Sequence, residues 1–133
     1  GATRAELDDL LRQSDVVSLH LRVSPDTRGL IDARRLGLMK PGAVLVNTAR
    51  AALVDRDAML AALAAGLIVA GLDVFHTEPL PADDALLSLP NVVMTPHDGG
   101  VMPDVIARAV MTAVVNIENW LKGAPTNLVV DPR

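Results

Sequence analysis

One stretch constrains this chain more than any other. An unbroken apolar run, Ala43-Val44-Leu45-Val46, ends abruptly in Asn47-Thr48-Ala49-Arg50. Asp55 then stands where an N-cap belongs, before an alanine-rich segment, Arg56 to Ala65, closed by Gly66. A strand without polar alternation is the pattern of a strand buried on both faces of a parallel sheet. Strand, polar elbow and helix follow one another, and in an open parallel sheet ligands sit in the crevice outside the carboxyl ends of the strands. Arg50 therefore falls where small anions are held, with a planar fork suited to gripping a carboxylate; the alternative is an arginine of the plain surface.

The same unit recurs along the chain. Val16 to Leu21, Leu67 to Phe75 and Asn91 to Thr95 read as further strands, the first with a buried-strand signature like that of Ala43–Val46. Thr3-Arg4-Ala5-Glu6 has capping-box spacing and predicts a first helix of about three turns, with Leu7, Leu10 and Leu11 on one face and Asp8 and Asp9 toward water. Asp32 caps a short helix running to Met39, and Lys40-Pro41-Gly42 turns into the next strand. Gly71, inside a strand, points to close approach of neighbouring backbone. From Pro103 the apolar positions Ile106, Val110, Ala113, Val114, Ile117 and Leu121 keep helical period to Lys122, with Asp104 and Arg108 as an i,i+4 pair and Gly123 as the stop. Asn127 to Val130 is strand-like with no evident partner. Strands alternating with helices give an α/β fold, a Rossmann-like doubly wound parallel sheet.

Composition removes whole classes of function. The 133 residues, 50% hydrophobic, suit one domain with a full core. No run approaches the roughly twenty apolar residues of a membrane helix, and no basic-then-apolar leader opens the chain, so a soluble, cytoplasmic protein is expected. The absence of cysteine excludes disulfides and thiolate metal sites, and no metal site is expected. A net charge of -4 with one Phe, one Trp and no Tyr offers neither a basic footprint nor stacking platforms for nucleic acid.

Arg50, Glu78 and His97 all fall on elbows that follow strands. A guanidinium, a carboxylate and an imidazole converging there suggest proton transfer to or from a substrate bearing a carboxylate. Histidine titrates near neutral pH, and a carboxylate on its far nitrogen fixes its tautomer. Each residue also has a bland reading: His97 as a turn histidine, Glu78 as a solvated loop acid, Asp73 as the cap of the loop after its strand. His20 and His76 are read as structural. No GxGxxG turn for a dinucleotide pyrophosphate occurs in the chain, which leaves the edge of strand Val16–Leu21 open to pairing with another chain. The expectation is the second half of a longer protein: residues 1–122 as a partial dinucleotide-binding domain and 123–133 as a tail toward a separate domain.

The stretches SDVVSLHLRVSPDTRGLI, LMKPGAVLVNTAR, LVDRDAMLAALAAG, AGLDVFHTEPLP and LPNVVMTPHDGG resemble, in order and spacing, the NAD-binding domain of D-isomer-specific 2-hydroxyacid dehydrogenases. The resemblance implies an NAD(P)-dependent oxidoreductase interconverting a D-2-hydroxy acid and a 2-oxo acid, with NAD or NADP as cofactor and a homodimer as assembly. It implies that Arg50 binds the substrate's carboxylate, that His97 is the acid/base and that Glu78 is its partner. It also implies that Thr48, Ala49 and Asp73 face the nicotinamide, that Gly99 and Gly100 let an elbow pass close to it, and that Thr27 lies in a bordering loop. Arg50 and His97 then count among the cofactor's neighbours too. The chain departs from the family pattern at Ala51, where a Gly usually follows the arginine, at Arg22, where a Pro is usual, and at Val101-Met102-Pro103-Asp104 after the double glycine. The isolated piece is expected to be inactive. A second reading is a non-catalytic, dinucleotide-sensing corepressor-like module, since such relatives keep the same trio.

Overall fold

The computed structural model describes residues 1–128 and divides into two compact units that meet between Asp98 and Gly99. In the first unit, four parallel strands pair in their order along the chain: β1 (Val16–Leu19), β2 (Ala43–Asn47), β3 (Ile68–Leu72) and β4 (Val92–Met94). Between and before them lie α1 (Leu7–Gln13), α2 (Ala33–Leu36) and α3 (Arg56–Ala64). The α/β parallel architecture is the one the alternating pattern implies. Register matters most here, because Leu19 pairs with Asn47, Asn47 with Leu72 and Leu72 with Met94, so all four strands end along one edge. Thr48, Asp73 and Thr95 are the next residues beyond that edge.

Within β2 and β3 alternate residues are fully buried. Ala43, Leu45, Asn47, Ile68, Ala70 and Leu72 lie on one face, and the apolar ones join Leu11, Leu36, Met59, Ala62 and Leu63 of the helices in a single cluster. The intervening Val44, Val46 and Val69 are half-buried. β1 departs from the expected two-sided burial: Val17 and Leu19 are buried, but Val16 is 59% exposed and Ser18 is exposed, so this edge strand alternates. Gly71 also departs from expectation. A Cβ there would meet only a Val46 methyl, at 3.9 Å, which is ordinary contact and not a close backbone approach.

Local chemistry sets the helix starts. Asp32 Oδ1 accepts from the N–H of Arg35 at 2.8 Å, and Asp55 Oδ1 from that of Ala58 at 2.9 Å, both N-caps of the expected kind. The capping box at Thr3 does not form. α1 begins only at Leu7 with Glu6 as an N-cap that makes no side-chain cap bond, because residues 1–6 are exposed and no packing holds an earlier turn. Leu11 is completely buried whereas Leu10 is 38% exposed.

Asp8 does not simply face water either. It takes Arg34 through both oxygens, at 2.6 and 3.1 Å, and Arg35 Nε at 3.3 Å, tying α1 to α2. The Arg34 guanidinium, with help from Arg35, holds this carboxyl at about 2, below its ordinary 3.8. A depressed carboxyl contributes stability that is complete above its unfolded value and is lost as pH falls through the folded one, here between 3.8 and about 2. A side-chain NMR titration of the protein is expected to give Asp8 a midpoint near 2, moved toward 3.8 by Arg34→Ala.

The second unit contains α4 (Pro103–Leu121), with Pro103 in its first turn, Lys122 as C-cap and Gly123 at φ 72°. Its apolar positions keep the expected period. The i,i+4 carboxylate pair is replaced: Arg108 Nε donates to the main-chain carbonyl of Asp104 at 3.3 Å. Asn127 and Leu128 lie in no strand, and Val129 and Val130 fall outside the described residues. Among the described residues no helix is long and apolar enough to cross a membrane, and no cluster of three or more His, Cys, Asp or Glu suits a metal ion.

Candidate active site

The elbow after β2 is built by Asn47. Its side chain is 1% exposed; Nδ2 donates to the carbonyl of Arg50 at 2.9 Å and Oδ1 accepts from the N–H of Ala49 at 3.1 Å. One amide thereby closes the loop that presents Arg50, an Asx-type bond that the last polar residue of an apolar strand is placed to make. Sequence reasoning saw Asn47 only as the end of the strand. Asn47→Ala would take the acceptor from the Ala49 N–H and leave the Arg50 carbonyl with the Leu53 N–H at 3.2 Å, and a loss of about 1–3 kcal/mol is expected by urea unfolding. Ala51 opens a short 3-10 turn, Ala51–Leu53, without positive φ, so the alanine in place of the family's glycine is unstrained.

The Arg22–Gly29 loop is pinned beside this turn. Gly29 N–H donates to Ala52 O at 2.8 Å and Ile31 N–H to Leu53 O at 3.0 Å. Thr27 holds the loop together, accepting from Ser24 N–H at 2.7 Å and donating to Arg22 O at 2.8 Å. Thr27 thus acts within its own loop, while Val23 and Arg28 line the cleft. Arg28 was not foreseen, and nothing in the local sequence distinguishes it.

After β3, Asp73 is 4% exposed. Its Oδ1 accepts from the Thr95 hydroxyl and, at 3.0 Å, from the N–H of Asp98. The loop beyond carries Glu78 and is anchored at its far end by Asp84, whose Oδ1 accepts from Leu86 N–H at 3.0 Å and whose Oδ2 takes Arg56 at 2.9 Å. Those bonds, Leu86 first, hold Asp84 below the usual carboxylate range. Glu78 Oε1 accepts from Phe75 N–H at 2.9 Å and Oε2 lies 2.8 Å from His97 Nδ1. The bond to His97, then that to Phe75, lowers the Glu78 carboxyl. An ionised carboxylate only accepts, so Nδ1 carries the proton and Nε2 is the nitrogen left for other chemistry. His97 sits at φ 59°, a left-handed backbone costing about 1–2 kcal/mol for a residue with a side chain.

Arg50, Glu78 and His97 line one cleft of about 480 Å³, with Val23, Arg28 and Phe75 among its other walls. The three elbows meet at one rim. The Arg50 guanidinium donates to the carbonyl of Ala49 beside it, and the residue lines the cleft. Thr48 is exposed and Ala49 half-buried at the same sheet edge, while Gly99 and Gly100 belong to the second unit, where a Cβ at Gly100 would meet nothing within 4 Å. A nicotinamide carboxamide asks for hydrogen-bond acceptors beside a flat surface. The Asp73 carboxylate and the exposed Thr48 hydroxyl are acceptors of the kind that would hold it.

Residues 1–99 match the family "D-isomer specific 2-hydroxyacid dehydrogenase, NAD binding domain". The chain belongs to this family. It is 44% identical over 131 residues to a protein of Aeropyrum pernix named glyoxylate reductase, covering 97% of this chain and 39% of that one. Among solved structures, the TT0316 protein of Thermus thermophilus superposes with a TM-score of 0.89 at 46% identity, covering 95% of this chain and 41% of that one. The D-isomer specific 2-hydroxyacid dehydrogenase of Xanthobacter autotrophicus Py2, solved with NADPH and MES, gives 0.81 at 40% identity, covering 96% and 41%. The chain thus spans about two-fifths of the length of these relatives. None of these names supports the corepressor-like reading.

Proposed function

We propose that this chain supplies the acid/base and carboxylate-binding groups of an NAD(P)-dependent oxidoreductase that interconverts a D-2-hydroxy acid and a 2-oxo acid. The observation carrying this reading is the 2.8 Å pair between Glu78 Oε2 and His97 Nδ1 on the same cleft as Arg50, in a chain of the family named above. When bound, the nicotinamide supplies the redox chemistry by accepting or giving a hydride at the substrate's C2. Everything else falls to side chains. Arg50 grips the substrate's carboxylate and turns its C2 oxygen toward the imidazole. His97 gives a proton to that oxygen from Nε2 during reduction and takes it back during oxidation, while Glu78 holds the ring's tautomer and orientation through Nδ1.

Asp73, Thr48, Ala49, Gly99 and Gly100 are assigned to the nicotinamide's surroundings, with Thr27 bracing the adjoining loop. Residues 1–122 are assigned to a partial NAD-binding domain and 123–133 to a tail leading from it. A homodimer in a reducing, cytoplasmic compartment completes the reading and accords with a chain lacking cysteine. The test is NADH and NADPH oxidation by the complete gene product against a panel of 2-oxo acids, glyoxylate and hydroxypyruvate included. Turnover with at least one is expected. Silence with all of them, in folded protein, overturns the reading.

A further inference from the structure

The strained residue of the site has a holder. His97 adopts a left-handed backbone conformation at φ 59°, and two hydrogen bonds flanking it converge on one oxygen. On its N-terminal side the Thr95 hydroxyl donates to Asp73 Oδ1; on its C-terminal side the Asp98 N–H donates to the same oxygen at 3.0 Å. Thr95 is itself fixed to the sheet, its N–H on the carbonyl of Leu72 at 3.0 Å, and its own carbonyl accepts from the N–H of His97 at 3.0 Å. The acceptor is immobile too, since Asp73 directly follows β3 and its N–H donates to the carbonyl of Asn47 at 3.0 Å.

We propose that Thr95 is a positioning residue for His97: its hydroxyl, closing on the buried Asp73 carboxylate, holds the turn in the conformation that sets Nδ1 on Glu78. This rests on the reading of His97 as the acid/base. A left-handed residue persists only where its surroundings over-determine it, and the hydroxyl bond is a side-chain contribution from the residue that directly follows β4. Without it the elbow loses one of its ties to Asp73, and relaxation of φ swings the imidazole away from the carboxylate 2.8 Å from it. Misplacing an acid by a fraction of an ångström to an ångström slows proton transfer with little effect on binding.

The experiment compares Thr95→Ser, Thr95→Cys and Thr95→Val in the complete gene product, by steady-state kinetics and by the NMR resonance of the His97 Nδ1 proton. Serine keeps the donor and is expected to retain kcat within about twofold. Valine, which keeps the shape and loses the donor, is expected to lower kcat by about 10- to 100-fold with KM for the 2-oxo acid little changed, and to broaden or shift the Nδ1 proton; cysteine, a weak donor, falls between. Wild-type kcat with an unmoved Nδ1 resonance in the valine variant, or in the cysteine variant should valine not fold, overturns the proposal, as does equal impairment in all three. The resonance is read without turnover, so absence of activity in the unmodified enzyme sinks the functional reading while the clamp is still decided.

Discussion

Asparagine in place of His97 is expected to lower kcat for 2-oxo acid reduction by about 10²- to 10⁴-fold, the range that a positioned general acid contributes. Asparagine can still donate to the Glu78 carboxylate and tolerates the left-handed backbone that His97 occupies, so the elbow is preserved while the group proposed to carry the proton is removed. That separation makes the variant more informative than alanine. Glu78→Gln asks the complementary question, because it keeps the length of the side chain and removes the charge that orients Nδ1. Its carboxyl lies below its ordinary 4.5, lowered first by the bond to His97. A depressed carboxyl stays ionised above its unfolded value, so the pair is intact at neutral pH and is lost only as pH falls through the lowered value. In the unmodified enzyme, activity limited by Glu78 should therefore persist below pH 4.5 before declining. Full turnover in the His97→Asn enzyme across neutral pH would remove the proton-transfer role outright.

What the amino-acid sequence carried, and what it did not, follows the range of the interactions. Asp32 and Asp55 were legible as caps because each acts three residues away on its own helix, and both make that bond. The capping box at Thr3 has the same local form, yet the helix begins at Leu7: a cap forms only where packing already holds the turn, and residues 1–6 are exposed. Arg50, Glu78 and His97 were legible as elbow residues since parallel strands in register must end on one edge, and that edge is where they meet. Arg28, by contrast, reaches the cleft through a bond between Gly29 and Ala52, a contact between segments more than twenty residues apart that no local pattern announces. Asn47 and Thr95 belong to the same class, with a lesson of their own. Each looked like the polar end of an apolar run, and only the geometry of its bonds shows that one shapes the Arg50 elbow and the other ties the His97 turn to Asp73. The one-sided burial of β1 has the opposite cause: its residues read as core, but an edge strand has fewer neighbours to bury them.

Replacing Arg50 by Gln is expected to lower kcat/KM for the 2-oxo acid by about 10²- to 10⁴-fold, from the loss of two charge-assisted hydrogen bonds worth roughly 1.5–3 kcal/mol each when the substrate's carboxylate is sequestered. The elbow itself should survive, because Asn47 binds the main-chain carbonyl of Arg50 and not its side chain. Most of the loss should appear in KM, with KM for the nicotinamide cofactor changing little, since the role proposed for the guanidinium is to meet the substrate's anionic end. Arg50→Lys then separates charge from geometry. A lysine restores a cation without the planar fork, so a purely electrostatic role predicts near-complete rescue, whereas a bidentate grip that also turns the C2 oxygen toward His97 predicts a partial one, with kcat still depressed. The second outcome is expected here. Arg28 stands on the same cleft and is a second cation available to a misplaced carboxylate, so Arg50→Gln should lose less in the presence of Arg28 than in the Arg28→Gln background. Wild-type kcat/KM in Arg50→Gln would show that the anion is held elsewhere, and the acid/base assignment of His97 would then lack the group that brings its substrate into line.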